Sequence, residues 1–225
     1  MSAETPRELT FLLAGPERRV LRALARRVPR HIRSNHLTAL GTLAAAGAGT
    51  AYALTTHDPA WLWAASALLA VNWLGDSLDG TLARVRGTER PKYGYYLDHV
   101  VDAASTAFIG LGIGLSPYVS LGIALGLVVV YLALSINVYL ESTVFGVFRI
   151  AYGRIGPTEV RLLLILLNTA LVFAGPIGAI GDWALGALLA GMVALFVGRF
   201  ARNLHRLARL EPQRFRWWER STPRQ

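Results

Sequence analysis

Charge is distributed along this chain in short blocks separated by long uncharged runs. Leu37–Thr56 and Pro59–Gly75 contain no Asp, Glu, Lys or Arg, and neither does Ala103–Leu140, a run of 38 residues. A membrane span needs roughly 20 apolar residues, so the last run is too long for one crossing. Ser116-Pro117 offers a break within it, giving Tyr93–Leu115 and Tyr118–Phe145. Leu162–Gly181 and Trp183–Gly198 complete six apolar segments. The last can continue past Arg199, because a long basic side chain near a span end reaches back to the interface. Backbone groups in lipid must be bonded within their own segment, so spans of this length are helices. The pattern predicts an all-α integral membrane protein with six transmembrane helices.

Ahead of the first span, Pro16–Pro29 reads PERRVLRALARRVP. Val20, Leu21, Leu24 and Val28 are read as one stripe at helical spacing, flanked by Arg18, Arg19, Arg22 and Arg26. This predicts an N-terminal amphipathic helix lying in the membrane interface. The basic tail with Arg214, Arg216, Trp217 and Trp218 is also interfacial in character. The expected organisation is a segment 1–33, a six-helix membrane domain 34–208 and a basic tail 209–225. No internal repeat or soluble second domain is visible.

Composition agrees. Of 225 residues, 53% are hydrophobic and 16% charged, against about 25% charged in ordinary soluble domains. The net charge of +9 alone would suggest nucleic acid. The apolar spans direct it instead to the anionic face of a membrane. Absence of cysteine excludes disulfide and thiol chemistry. The first apolar run follows mostly polar residues and is too long for a signal h-region, so no secretory signal is expected.

The basic residues also predict topology. Eight of the 23 precede the first span and eight run from Arg199 to Arg224. Arg84, Arg86, Arg90 and Lys92 lie between spans two and three, and Arg149, Arg154 and Arg161 between four and five. The other three connections carry no Lys or Arg. The positive-inside rule then places both termini in the cytoplasm.

One spaced set of acidic residues carries chemistry: Asp76-x2-Asp79-Gly80-x2-Ala83-Arg84-x9-Gly94-x3-Asp98-x3-Asp102. Carboxylates are costly at a membrane boundary and demand a reason. Residues three or four apart share a helix face, so Asp76 with Asp79, and Asp98 with Asp102, can each point together. Two such helix ends facing one another form a cluster of hard oxygen ligands for divalent cations. Four carboxylates cannot all ionise unaided, and one or two Mg2+ or Mn2+ ions would offset the repulsion. Zinc suits the set less well, with no cysteine and only His99 nearby. Gly80 and Ala83 leave a helix patch nearly bare, where a diphosphate or planar base can approach. Arg84 can pair with phosphate in a bidentate manner. Helix capping, with ion pairs to Arg84, Arg86 and Arg90, is the bland alternative for the aspartates.

The string DSLDGTLARVRGTERPKYGYYLDHVVD resembles the signature of the CDP-alcohol phosphotransferases, with all eight defining positions present. Asn35-x-Leu37-Thr38 resembles the motif that opens the family's first span, with Ser34 in place of its proline. The resemblance implies that an acceptor hydroxyl attacks the β-phosphate of a CDP-linked alcohol, usually CDP-diacylglycerol in bacteria, releasing CMP. It implies Asp76, Asp79 and Asp98 as metal ligands, and Asp102 as general base that also touches a metal. It implies Asp79, Gly80, Ala83, Arg84 and Gly94 as the CDP-binding set, a homodimer, and a site at the cytoplasmic side of the cell membrane. No nucleic-acid partner is implied.

The acceptor is less legible. Glycerol-3-phosphate or an inositol phosphate would need a basic pocket, for which Arg154, Arg161 and Arg199 are candidates; the same arginines also satisfy the positive-inside rule. A CDP-choline or CDP-ethanolamine branch acting on diacylglycerol is an alternative. His99 is a candidate for proton transfer or for a structural hydrogen bond. Glu159 is a candidate site residue or a carboxylate at the favourable end of a helix dipole. Two further classes stay open: a divalent-cation transporter, which would hold carboxylates near mid-membrane, and a non-catalytic scaffold of the same fold.

Overall fold

The computed structural model describes residues 13–145, 156–175 and 179–211. Among these residues every regular element is a helix: α1 (Ala14–Arg27), α2 (Ser34–Leu54), α3 (Trp61–Arg86), α4 (Pro91–Gly114), α5 (Leu121–Phe145), α6 (Pro157–Ala174) and α7 (Ala179–Leu210). The protein is an all-α membrane protein. α2, α5, α6 and residues 181–210 of α7 are long and apolar enough to cross a bilayer. α3 and α4 have 26 and 24 residues but carry the aspartates. In α3 the stretch Trp61–Gly75 is uncharged, and its charged residues are confined to the end from Asp76 to Arg86.

Local chemistry sets the boundaries. α3 stops at Gly87, whose φ of 62° is left-handed backbone that glycine enters at no steric cost. Pro91 and Pro157 open α4 and α6, where a missing N–H has no helical partner to lose. The break between α4 and α5 falls at Ser116-Pro117, where Ser116 Oγ donates to the Ile113 carbonyl at 2.6 Å.

α2 is the centre of the packing and touches both α3 and α4. The contacts are backbone to backbone. A Cβ on Gly75 would lie 2.6 Å from the Leu37 oxygen and 2.7 Å from the Gly41 Cα. On the α4 side, a Cβ on Gly112 would run into the Gly49 backbone, and one on Gly49 into the Phe108 carbonyl. Ala44, Ala45, Ala48 and Ala51 fill the same seam and are buried. Helices in lipid gain little from hydrophobicity between them, so small residues that admit close approach supply the association.

Polar clasps complete the fold. Asn168 of α6, 2% exposed, donates through Nδ2 to the Tyr52 hydroxyl of α2 at 2.9 Å and to Ser66 Oγ of α3 at 3.1 Å. Glu141 of α5 accepts from Arg199 Nε of α7 at 2.6 Å, from Asn137 Nδ2 at 2.9 Å and from Asn203. A buried ion pair is expensive to break from one side only, because the remaining charge is stranded.

α1 is a helix over the segment where the sequence predicts one, and its apolar side packs on protein. Leu21 and Ala25 are buried with Leu37, Leu78 and Leu82, and Leu24 and Val28 pack alongside. The apolar stripe therefore faces α2 and α3. Val20, counted in that stripe, is 51% exposed. The tail residues Arg214, Arg216, Trp217 and Trp218 lie outside the described residues.

The glycine seam yields a first prediction. Gly112→Ala is expected to lower the thermal unfolding midpoint in detergent, since overpacking costs about 1–3 kcal/mol. Gly191→Ala, whose added Cβ meets nothing within 4 Å, is the control and is expected to hold or raise it. Equal midpoints for the two variants would remove the seam from the stability of the fold.

Candidate active site

The aspartates sit where α3 and α4 approach across the N-terminal half of α2. Thr38, Gly41 and Thr42 of α2, Asn72, Asp76 and Asp79 of α3, and Asp98, Val101 and Ser105 of α4 line one small cleft. Asp76, Asp98 and Asp102 each offer a carboxylate oxygen within 4.8 Å of the others. Like charges at that spacing repel by about 3 kcal/mol per pair at an effective dielectric near 20. The i, i+4 spacing of Asp98 and Asp102 puts both on the face of α4 that turns toward Asp76.

Among the described residues one cation answers this charge. Arg161, near the start of α6, places its guanidinium NH2 group 2.9 Å from Asp76 Oδ2. Its Nε donates to Asn72 Oδ1 at 2.8 Å, and Asn72 Nδ2 donates to the Gly41 carbonyl at 3.0 Å. α6 is thereby tied to α3 and α2 at the wall of the cleft.

Asp79 is held apart from the group of three. Thr38 Oγ1 and the Gly80 backbone N–H both donate to its carboxylate. It still lines the cleft beside Asp76 and Asp98. Gly94 and Gly80 face open space: a Cβ on Gly94 would meet nothing within 4 Å, and one on Gly80 only the Arg84 guanidinium at 3.5 Å. Ala83 is half-buried next to them. Arg84 is exposed, donates to Thr81 Oγ1 at 3.1 Å, and makes no ion pair among the described residues. The bare patch expected from Gly80 and Ala83 is present, with a cation beside it.

The remaining candidates fall elsewhere. His99 lies between the rings of Tyr95 and Tyr139, with centroids 4.1 and 4.3 Å away. Its Nδ1 is 3.5 Å from Asp98 Oδ2, and neither ring nitrogen makes a hydrogen bond. Glu159 accepts from the Leu13 and Gly156 backbone N–H groups at 3.0 and 2.9 Å, joining the starts of α1 and α6. It is outside the carboxylate group. Arg199 is bound to Glu141, and Arg154 lies outside the described residues. Arg161 is therefore the one member of the candidate acceptor pocket that the structure brings to the described site.

Thr38 and Asn72 were missed as site residues. Thr38 belongs to the Asn35-x-Leu37-Thr38 motif, which gave no role. Asn72 precedes Asp76 by four residues, a same-face spacing that was available to read.

The donor set fits a hard divalent ion. Three carboxylates converge, cysteine is absent from the sequence, and His99 is enclosed between two tilted tyrosine rings. All-oxygen sets of this kind suit Mg2+ or Mn2+.

Comparison with known proteins adds to this geometry. The sequence model for CDP-alcohol phosphatidyltransferase matches residues 32–200. The chain is a member of the CDP-alcohol phosphatidyltransferase family. The match covers α2 through the start of the basic part of α7, and so includes all four aspartates. The protein is accordingly a membrane transferase of phospholipid biosynthesis that draws on a CDP-linked alcohol and an acceptor alcohol. A search of curated proteins finds no match.

The hydroxyl at Thr38 offers a test of ion binding by this carboxylate set. Thr38→Val removes a donor to Asp79 and is expected to weaken Mg2+ or Mn2+ binding by about tenfold in calorimetric titration, the low end for lost ligand-orienting contacts. Thr38→Ser is expected to restore it. Unchanged affinity in Thr38→Val would show that the Asp79 orientation is immaterial to the ion.

Proposed function

We propose that this protein transfers a phosphatidyl group from CDP-diacylglycerol to a small polar alcohol at the cytoplasmic face of the cell membrane, releasing CMP. The convergence of Asp76, Asp98 and Asp102 beside the open patch of Gly80, Gly94 and Arg84 carries this reading. In it, α2 to α7 make six spans, with 1–33 and 209–225 on the cytoplasmic side. The clustering of all charged residues of α3 at one end supports that orientation. In the most apolar part of α7 no residue is fully buried within the chain, which supports contact with lipid and with a second copy in a homodimer.

Each residue then has a task. Asp76, Asp79, Asp98 and Asp102 would hold one or two Mg2+ or Mn2+ ions, which supply charge neutralisation to the diphosphate and the departing CMP. Arg84 would grip the donor phosphates in its planar fork, while Gly80, Ala83 and Gly94 let the CDP moiety lie close to the backbone. Asp102 would accept the proton of the acceptor hydroxyl as its oxygen bonds to the β-phosphorus. The bond from that phosphorus to the bridging oxygen breaks, and its electron pair leaves with CMP. Arg161 holds Asp76 in place and stands at the cleft, where it would also meet a phosphate on the acceptor. That supports glycerol-3-phosphate or an inositol phosphate as the acceptor.

The decisive assay is CMP release by the purified chain in detergent with CDP-diacylglycerol, Mg2+ or Mn2+, and one acceptor at a time. Metal-dependent release with glycerol-3-phosphate or inositol-1-phosphate is expected, and none with serine or free inositol. Release only with CDP-choline or CDP-ethanolamine and diacylglycerol would move the protein to the other branch. Asp102→Asn is expected to lower turnover by at least about 100-fold, the scale of a lost general base, while CDP-diacylglycerol still binds. Near-normal turnover would remove Asp102 from the proton-accepting role.

A further inference from the structure

We propose that the arginine face of α1 binds anionic phospholipid headgroups, and that Glu17 couples this binding to the aspartate site. Arg18, Arg22 and Arg26 recur every four residues and share a helix face with Arg19. All four are exposed, as are Arg27, Arg30 and Arg33 in the following turn. None of the seven makes an ion pair among the described residues. The chemical complement of this surface is a dense layer of negative charge. A bilayer is favoured over a soluble polyanion because α1 is fixed along the end of α3 where the uncharged stretch gives way to charge, against Trp73, Leu74, Leu78 and Leu82. Exposed Val20 adds an apolar group on the same short helix. Each basic residue near an anionic leaflet strengthens binding by about fivefold, so a face of four is a strong electrostatic contact.

The opposite side of α1 reaches the site. Glu17 Oε1 accepts from Trp73 Nε1 at 2.9 Å, Ser77 Oγ at 3.2 Å and Thr158 Oγ1 at 2.9 Å. Trp73 and Ser77 bracket Asp76 on α3, and Thr158 lies three residues before Arg161 on α6. One carboxylate thus joins the two helices whose side chains meet in the Asp76–Arg161 pair. At the other end of α1, the Arg86 guanidinium of α3 donates to the carbonyls of Val28 at 2.9 Å, Pro29 at 3.0 Å and Ile32. Pinned at both ends, α1 cannot settle onto charged lipid without loading α3 and α6. The coupling to turnover rests on the reaction proposed above; the lipid contact does not.

The test exploits the lack of native cysteine. Ala23→Cys places a single thiol on the exposed side of α1 in the full-length protein. This is reconstituted in phosphatidylcholine nanodiscs with graded phosphatidylglycerol. Labelling by a water-soluble maleimide is expected to slow several-fold as the anionic fraction rises, and high salt is expected to reverse the effect. CMP release is expected to rise in parallel. Combining Arg18→Gln, Arg22→Gln and Arg26→Gln is expected to flatten both responses while leaving turnover in pure phosphatidylcholine unchanged. Glu17→Gln is expected to keep the labelling response and flatten the rate response. Labelling indifferent to phosphatidylglycerol, or a triple variant that responds as the parent does, would overturn the lipid surface. Equal protection by soluble heparin in neutral nanodiscs would assign the face to a soluble polyanion instead. Lipid-dependent labelling without CMP release under any condition would uphold the surface and overturn the proposed reaction, so the two failures are separable.

Discussion

Close backbone contact between α2 and its two neighbours is the constraint on which the site depends. Gly41 against Gly75 sets the distance from α2 to α3, and Gly49 against Gly112 sets the distance from α2 to α4. α3 and α4 bear the aspartates but are both registered through α2. A methyl group at either crossing would push one carboxylate-bearing helix outward. The separation of Asp76 from Asp98 and Asp102 is therefore decided partly by residues that never touch them. Glycine is otherwise a weak helix former, and its recurrence through α2 reflects this close approach.

Electrostatics sets the second constraint. Three carboxylates within 4.8 Å repel in a partly dehydrated cleft, and the described residues give them one guanidinium, at Asp76. The fourth carboxylate is engaged by a hydroxyl and a backbone N–H from its own neighbourhood. The result is a set that is oriented and still short of positive charge, the condition in which a divalent ion is bound most firmly. The same logic is absent around Glu141, where Arg199, Asn137 and Asn203 satisfy the carboxylate and make it a structural tie between α5 and α7.

Much of the fold was legible because its signals are periodic or cumulative. Uncharged runs of sufficient length marked α2, α5, α6 and α7, and Ser116-Pro117 marked the break after α4. The apolar stripe flanked by arginines marked α1, although Val20 was assigned to the wrong face because adjacent positions on a short helix differ by a large rotation. α3 and α4 each mix an apolar stretch with the charged residues of the site. At the site, the spacing of Asp98 and Asp102 announced a shared face, and the bare patch at Gly80 was visible as small residues beside Arg84. The cross-helix partners of Thr38, Asn72 and Glu17 were not visible. Each is a lone polar residue whose counterpart lies on another helix, 31 residues away for Asn72 and Gly41 and 141 for Glu17 and Thr158. Nothing in local periodicity records such a pairing.

The unequal lengths of α6 and α7 have a consequence for the surrounding lipid. At a rise of about 1.5 Å per residue, the 18 residues of α6 extend about 27 Å and the 32 of α7 about 48 Å. A hydrocarbon layer is about 30 Å thick. α6 leaves no slack, and Arg161 sits in its opening turn, so acyl chains beside it must compress or the headgroups must dip. α7 overshoots and carries Arg202, Arg206 and Arg209 beyond the apolar zone. In the proposed six-span arrangement α6 would therefore draw the membrane boundary inward on the side where the cleft lies. Bilayer thickness, and not only lipid charge, becomes a variable to which this fold is mechanically exposed.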